Sequence, residues 1–518
     1  MQLTELVLRN GTVIDGTGRP AEPADVLIQG DRIAAIGRVE SSAGQVTLDC
    51  AGLHVAPGFI DVHSHSDREI LRHLPNKLLQ GITTEIVGNC GYSLYPTRPN
   101  PDGASLTGEI FDGEPREGML ATGDYFTAVE EAQPLVNVAA LTGHGTLRAY
   151  VMQMRAQAGE DELRQMESAL DACLESGSIG FSTGLNCMPG CFGDFPELVR
   201  LCRIVRKHSG FYTTHMRDYK FRVLEAIDEA IAVARAAEVP LQISHMQVVG
   251  KKNWNKLDEA LERIARAHRE GADIAIDSYP YLAGCCSLTQ FLPTWCQEGG
   301  IEQVLDHLES PSSYERIARE TDAYMSNTWD DLMVCDVHTE ANRALVGKSV
   351  ARIAVERERP APATALDLLR EEAGYVYVIS FNSSEENLRK VLTHPLTSVI
   401  TDGLVMEGIS HPRTFGTYPK FLGEYVREKR WMTLEDAAVK TSGLAAQRFA
   451  LRGRGKIAPG GFADIVVFDA SRIGSRADYA HPRQDPEGIH HVLVNGRLAV
   501  RDGKLTGERA GMVLRHSA

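Results

Sequence analysis

Five short polar clusters in the sequence each follow an apolar run, and together they hold the residue types that bind a transition metal and move a proton. The first is Pro57-Gly58-Phe59-Ile60-Asp61-Val62-His63-Ser64-His65. Side chains alternate along a strand, so His63 and His65 point the same way, as two imidazoles must to share one ion. The second is Gly88-Asn89-Cys90-Gly91, where a thiolate would be a metal ligand and the flanking glycines let the backbone carry it close. The third and fourth are single histidines, His215 in Thr213-Thr214-His215-Met216-Arg217 and His245 in Ile243-Ser244-His245-Met246. The fifth places Asp402 in Val399-Ile400-Thr401-Asp402-Gly403. Taken singly, a histidine is more often a hydrogen-bonded structural residue and a cysteine a small buried hydrophobe. Their joint recurrence at the ends of apolar runs is the composition of a zinc-type hydrolytic site with nitrogen, sulfur and oxygen ligands. His63, His65 and Asp402 could hold one ion, and Cys90, His215 and His245 a second or the only tight one.

Something must bring these clusters together. Between Pro57 and about Leu451, short apolar runs alternate with long amphipathic stretches, the rhythm of repeated βα units. Candidate strands are Phe59 to Val62, Ile82 to Val87, Val136 to Leu141, Ile179 to Phe181, Phe211 to Thr214, Leu241 to Ile243, Ile274 to Ile276, Tyr375 to Ile379 and Ser398 to Ile400. Helical stretches include Asp161 to Ser176, Phe221 to Ala237, Asn255 to Glu270 and Ser384 to Leu392. A (β/α)8 TIM barrel needs eight strands, so one of the nine is peripheral. The barrel is preferred to an open sheet because the polar clusters fall at C-terminal strand ends, where such barrels place their chemistry. The rhythm lapses from Gly284 to about Gly347, directly after a strand end, which reads as a lid inserted over the barrel mouth. Both ends of the chain look all-β. Alternating apolar residues surround Asn10-Gly11 and Asn495-Gly496, each a hairpin signal, and Gly461 to Asp469 adds another strand. The expected organisation is a small β-sandwich from residues 1–56 plus 450–518, a hydrolase barrel at 57–449, and a lid at about 284–347.

Composition narrows the function classes. Sixty-nine acidic against fifty-four basic residues give a formal net charge of -15 in 518 residues, with no basic footprint for nucleic acid or anionic lipid. No run of about 18 apolar residues occurs, so no membrane span is expected. The opening MQLTELVLRNGTVIDG alternates like a strand and lacks a signal-peptide pattern, and the ten scattered cysteines read as reduced thiols of a cytoplasmic protein. The default is a protein that engages neither nucleic acid nor a membrane.

The order of PGFIDVHSH, a mid-barrel ligand, two single histidines and a terminal Asp resembles the amidohydrolase superfamily. More narrowly, GNCGYSL, GHGTLR, STGL, THMRD, SHMQ, DSYPY, TDG, HPRTFGTYPKFLGEYVRE and GRGKIAPGGFADIVVFDA resemble the N-acyl-D-amino-acid deacylases (D-aminoacylases), nearly end to end apart from the insert. That resemblance implies zinc held tightly by Cys90, His215 and His245, with His63, His65 and Asp402 forming a weaker or sometimes empty second site. It also implies a lid after the DSYPY strand, and Asp402 as the group that takes a proton from water and passes it to the leaving nitrogen. The family grips its substrate carboxylate with a Tyr, an Arg and a Lys, of which Tyr279 and Arg413 match. The third position is Gln247, which offers only neutral donors in place of an ammonium. Lys251 and Lys252 lie close by as substitutes. Gly284-Cys285-Cys286-Ser287 and Asn186-Cys187-Met188 also depart from the family, making the pocket softer around Cys285. No basic residue lies between Tyr281 and Pro293, so an acidic substrate side chain finds no partner there. His144 and Arg217 would touch substrate or orient ligands, or equally serve as scaffold. The expected reaction is zinc-dependent hydrolysis of a small-molecule amide, an N-acyl-D-amino acid. The alternatives are cleavage of a cyclic amide or other C–N bond in a substrate without the usual carboxylate, and a non-catalytic binding protein on the same fold.

Overall fold

The computed structural model describes residues 5–40, 46–97, 119 and 121–516. Five strands open the chain: β1 (Glu5–Val13), β2 (Glu22–Gln29), β3 (Arg32–Gly37), β4 (Val46–Asp49) and β5 (His54–Pro57). Seven parallel strands follow: β6 (Phe59–Asp61), β7 (Ile82–Val87), β8 (Asn137–Gly143), β9 (Gly180–Gly184), β10 (Phe211–His215), β11 (Leu241–Ile243) and β12 (Ile274–Ser278). The chain then makes β13 (Ala283–Ser287), β14 (Leu332–Val337) and β15 (Val376–Phe381), and returns to the parallel sheet with β16 (Thr397–Val399). It ends in β17 (Ile465–Phe468), β18 (Ile489–Val494), β19 (Arg497–Arg501) and β20 (Lys504–Leu505).

β6 to β12 and β16 hydrogen-bond in the order β16-β12-β11-β10-β9-β8-β7-β6. The circle closes just past the outer strands, where Asp402 N donates to His63 O at 2.8 Å and His65 N donates to Gly403 O at 3.1 Å. Helices cover the barrel by their apolar stripes. In Leu257–Arg269 the buried Leu257, Ala260, Leu261, Ile264 and Ala267 recur at three- and four-residue spacing while the other face stays charged. Each of those larger side chains contributes about 1.5–3 kcal/mol when fully removed from water.

The ninth expected strand, Tyr375 to Ile379, belongs to β15 and lies outside the barrel. It is the centre of a three-stranded antiparallel sheet, β13-β15-β14. Its apolar run reads like a barrel strand because full burial looks the same whichever partner provides it. The stretch that lacks a βα rhythm is therefore folded: this sheet packs with the helices Ile301–Glu309, Pro311–Ala323 and Ala361–Glu371 around Leu308, Ile317, Val334, Ile353, Leu366 and Val376.

Strands from both ends of the chain share one nine-stranded sheet, because β5 pairs parallel with β1 and antiparallel with β17. Asn495 (φ 47°) and Gly496 (φ 76°) form the two-residue hairpin between β18 and β19. Asn10-Gly11 does not turn the chain. Asn10 adopts φ 60° inside a continuous β1, at a bulge where the register shifts between Leu8 and Gly11. A Cβ on Gly11 would lie 2.7 Å from a Val55 methyl, so close strand approach, not reversal, sets the glycine. No helix among the described residues is long and apolar enough to cross a membrane.

Candidate metal centre and substrate cavity

The polar clusters converge at the C-terminal mouth of the barrel. Ligand atoms of Cys90, His215 and His245 lie within 4.8 Å of one another, as do those of His63, His65 and Cys90, and of His63, His245 and Asp402. Cys90 Sγ is 3.2 Å from His63 Nε2 and 3.5 Å from His245 Nε2. Asp402 Oδ1 is 3.5 Å from His63 Nε2 and 3.1 Å from His65 Nε2. The donor set suits a borderline-soft cation, and His215 Nε2 is buried with no hydrogen-bond partner, as a ligating atom would be.

The backbone is bent to bring these groups inward. Cys90 (φ 53°), His245 (φ 34°) and Asp402 (φ 47°) all occupy the left-handed region, which costs roughly 1–3 kcal/mol for a non-glycine residue and persists where the surroundings enforce it. Gly88 and Gly91 also have positive φ, and a Cβ there would sit 2.1 Å from Leu141 O and 2.6 Å from Gly184 N. Larger residues would push the Cys90 loop away.

Burial pulls His215 down to about 3, and burial with the neighbouring His215 holds His245 well below the ordinary imidazole value. Both are neutral, the ligating form. His63 behaves differently: burial lowers it, but Asp402 and Asp277 outweigh burial and hold its proton. Burial and Asp402 push the Cys90 thiol well up, so a cation is what would turn it into a thiolate. Burial would raise the Asp402 carboxyl, but Arg413, His63 and the His65 hydrogen bond prevail and keep it well below the usual range.

A cavity of about 620 Å³ opens from His215, His245 and Asp402 towards the inserted sheet. Tyr279, Gln247, Arg413 and Cys285 line it. Tyr279 donates to Gln247 Oε1 at 3.4 Å, and the Arg413 guanidinium lies 4.5 Å over the Tyr279 ring while pairing with Asp402 Oδ2 at 2.9 Å. Cys285 Sγ is 3.9 Å from Cys335 Sγ. His144 is not among the cavity's lining residues. It is fully buried at the start of the helix His144–Met152, where Nε2 meets Glu197 Oε1 at 2.6 Å. Arg217 lines the cavity but is spent on Glu229 and on the carbonyls of Cys191 and Gly193. Lys251 is exposed and Lys252 reaches the Met325 carbonyl at 3.2 Å, so neither replaces the missing lysine.

Three supporting residues escaped the sequence reading. Asp277, in the DSYPY motif, accepts His245 N at 2.6 Å and Gln242 Nε2 at 2.8 Å, and lies 3.5 Å from His63 Nδ1. Tyr219 packs edge-on to His215 at 5.0 Å and donates to Ser244 O at 2.9 Å, wedging the two histidine-bearing strand ends. Lys77 reaches under the site to Asp61 at 2.6 Å, Glu85 at 3.2 Å and Thr401 Oγ1 at 2.7 Å. The strand register could have flagged Asp277, since it lies on β12 beside β11. Tyr219 and Lys77 carry no local signal.

Potential metal ligands gathered at the C-terminal mouth of a closed parallel barrel fit one class, a TIM-barrel metal hydrolase. The model of the amidohydrolase family matches residues 46–249 and 315–500, and the chain belongs to that family. It is 35% identical over 517 residues to a D-aminoacylase of Alcaligenes xylosoxydans xylosoxydans, covering 99% of this chain and 98% of that protein. It is 37% identical over 517 residues to an N-acyl-D-glutamate deacylase of the same organism, covering 99% and 97%. Among solved structures, the N-acyl-D-glutamate deacylase of Bordetella bronchiseptica, complexed with zinc and a phosphonate inhibitor, superposes with a TM-score of 0.84 at 32% identity, covering 99% of this chain and 100% of that one.

Proposed function

We propose that the protein hydrolyses the amide bond of an N-acyl-D-amino acid, releasing the free amino acid and a carboxylic acid. The observation that carries this is Asp402, held anionic beside the Cys90, His215 and His245 cluster and facing the Tyr279 and Arg413 end of one cavity. The end-to-end relatives named for D-aminoacylase and N-acyl-D-glutamate deacylase activity support it.

Cys90, His215 and His245 would hold one zinc ion tightly, and His63, His65 and Asp402 would form the weaker position. Zinc there supplies Lewis-acid polarisation of the amide carbonyl and a water nucleophile active at neutral pH. Asp402 takes the proton of the attacking water on Oδ1 and delivers it to the departing nitrogen. Arg413 keeps that carboxylate ionised until the proton arrives, and its remaining donors, with the Tyr279 hydroxyl, orient the substrate carboxylate. Cys285 and Gln247 border the bound substrate. The lid packs over the mouth and keeps bulk water from the reacting amide. In this reading the chain divides into a sandwich from residues 1–56 and 450–518, a catalytic barrel from 57–449, and the lid inserted within the barrel.

The test is a hydrolysis screen of the zinc-supplied enzyme on N-acetyl-D- and N-acetyl-L-amino acids, with lactams and hydantoins alongside. Turnover of the D-series is expected. Exclusive turnover of the cyclic amides would replace this reading.

A further inference from the structure

The charged groups lining the cavity can be accounted for one by one. Arg413 pairs with Asp402, Arg217 with Glu229, Asp218 accepts from the Tyr324 hydroxyl, and Glu320 pairs with Arg316 at 2.7 Å. Arg222 is exposed at the rim. Lys220 remains. Half-buried in the cavity wall, its ammonium makes no hydrogen bond or ion pair among the described residues.

Instead, Lys220 Nζ lies 4.5 Å over the Phe291 ring and 5.4 Å from the Tyr324 ring. Both aromatic residues come from the inserted segment, so the lid supplies the surface on which the cation rests. A cation over aromatic faces gains less than one paired with a carboxylate, and it leaves its hydrogen-bonding protons unused. Burial lowers the Lys220 ammonium from its ordinary value, only partly offset by Cys286 and Asp218. An incoming anion would reverse that effect. The position is set by the neighbouring Tyr219, whose ring abuts both His215 and His245 at 5.0 and 5.2 Å. The lysine thus lines the same cavity as His215 and His245.

We propose that Lys220 is a specificity residue that receives a second carboxylate of the substrate. The favoured substrates are N-acyl-D-amino acids with a distal acid group, carried either on the amino-acid side chain or on the acyl group. This rests on the deacylase reading above. It also supplies the cation that the segment between Tyr281 and Pro293 lacks, from a strand end distant in sequence and without restoring a lysine at Gln247.

The experiment compares each acid with its isosteric primary amide in the zinc-loaded full-length enzyme: N-acetyl-D-glutamate against N-acetyl-D-glutamine, and N-succinyl-D-alanine against N-succinamoyl-D-alanine. One acid is expected to exceed its amide in kcat/KM by roughly tenfold or more, the worth of a charge-assisted hydrogen bond. The pair that shows the preference identifies which end carries the second carboxylate. K220M and K220Q, checked for an unchanged unfolding midpoint, should bring that ratio close to one. A ratio near one in the native enzyme, or one that survives both substitutions, overturns the proposal. Calorimetric binding of glutarate is the readout independent of turnover. If no acyl amino acid is hydrolysed the deacylase reading fails, yet glutarate binding weakened about tenfold by K220M would still support the cation site. Binding indifferent to K220M would sink it.

Discussion

At the barrel end of the cavity the polar groups are locked to one another, whereas the end formed by the inserted segment presents thiols, aromatic faces and a lysine resting on rings. Asp402 alone meets His63, His65 and Arg413 within 3.5 Å, and beneath it Lys77 binds Asp61, Glu85 and Thr401 within 3.2 Å. Across the cavity Cys285 faces Cys335 and Met406 at 3.9 Å, contacts with little directional demand. In the proposed reading, reaction and recognition are separated in one cavity. Fixed dipoles and charges would stand where the bond breaks, while the surface meeting the variable part of the substrate would be built from a different sheet and could change without disturbing them.

The contrast can be broken experimentally, beginning at the locked end. Removing a tight ligand in C90A should abolish stoichiometric zinc, measured by atomic absorption, and lower kcat/KM about 10³-fold or more. Asp402→Asn should retain zinc in the tight site yet lose about 10²- to 10⁴-fold in kcat, the range for a general base. Full activity in either variant would refute the assignment of the site. Lys77→Met tests whether the lock is also structural. Removing one partner of a buried charge cluster should destabilise the fold by about 3–5 kcal/mol in urea unfolding, and a loss below 1 kcal/mol would show that the cluster tolerates an empty place.

Smaller effects are expected further from the reacting atoms. Asp277→Ala frees the His245 amide and the loop that carries it, and should weaken zinc affinity about 10- to 100-fold in a competition titration. Unchanged affinity would mean that the strained backbone at His245 is held by packing alone. At the soft end, Gln247→Lys places an ammonium beside Tyr279 and should raise kcat/KM for monocarboxylate acyl-D-amino acids by up to about tenfold. A fall instead would show that the neutral Gln247 is matched to a different substrate group.

The convergence of the polar clusters was legible in the sequence because each candidate ligand is a polar residue directly after an apolar run, a local pattern that the βα repeat converts into a shared position. Eight of the nine candidate strands form the barrel and one is peripheral, as expected; which one was not legible, because an apolar run reports burial and not its partner. Asn10-Gly11 looked like Asn495-Gly496, yet one is a bulge and the other a turn, since both demand positive φ and only the neighbouring strands decide between them. For His144, after a strand in GHG, the sequence left substrate contact and scaffold equally open, and its ring turns to Glu197. Lys220 was invisible for the opposite reason. In Arg217-Asp218-Tyr219-Lys220-Phe221-Arg222 it looks like one more solvated charge, and only the packing of Phe291 and Tyr324 from the lid makes it a cavity residue.

The pair of hydrogen bonds that closes the barrel, Asp402 N to His63 O and His65 N to Gly403 O, joins its first strand to its last. This orders events on the ribosome, where the chain emerges from its N-terminus and folds as it lengthens. Cys90, His215 and His245 are all synthesised before the lid, and Asp402 after it. On the proposed assignment, a nascent chain holds the three candidate tight ligands before the candidate base is made. In the proposed reading, catalytic competence requires the last barrel strand to dock against the first, since that contact places the Asp402 carboxylate.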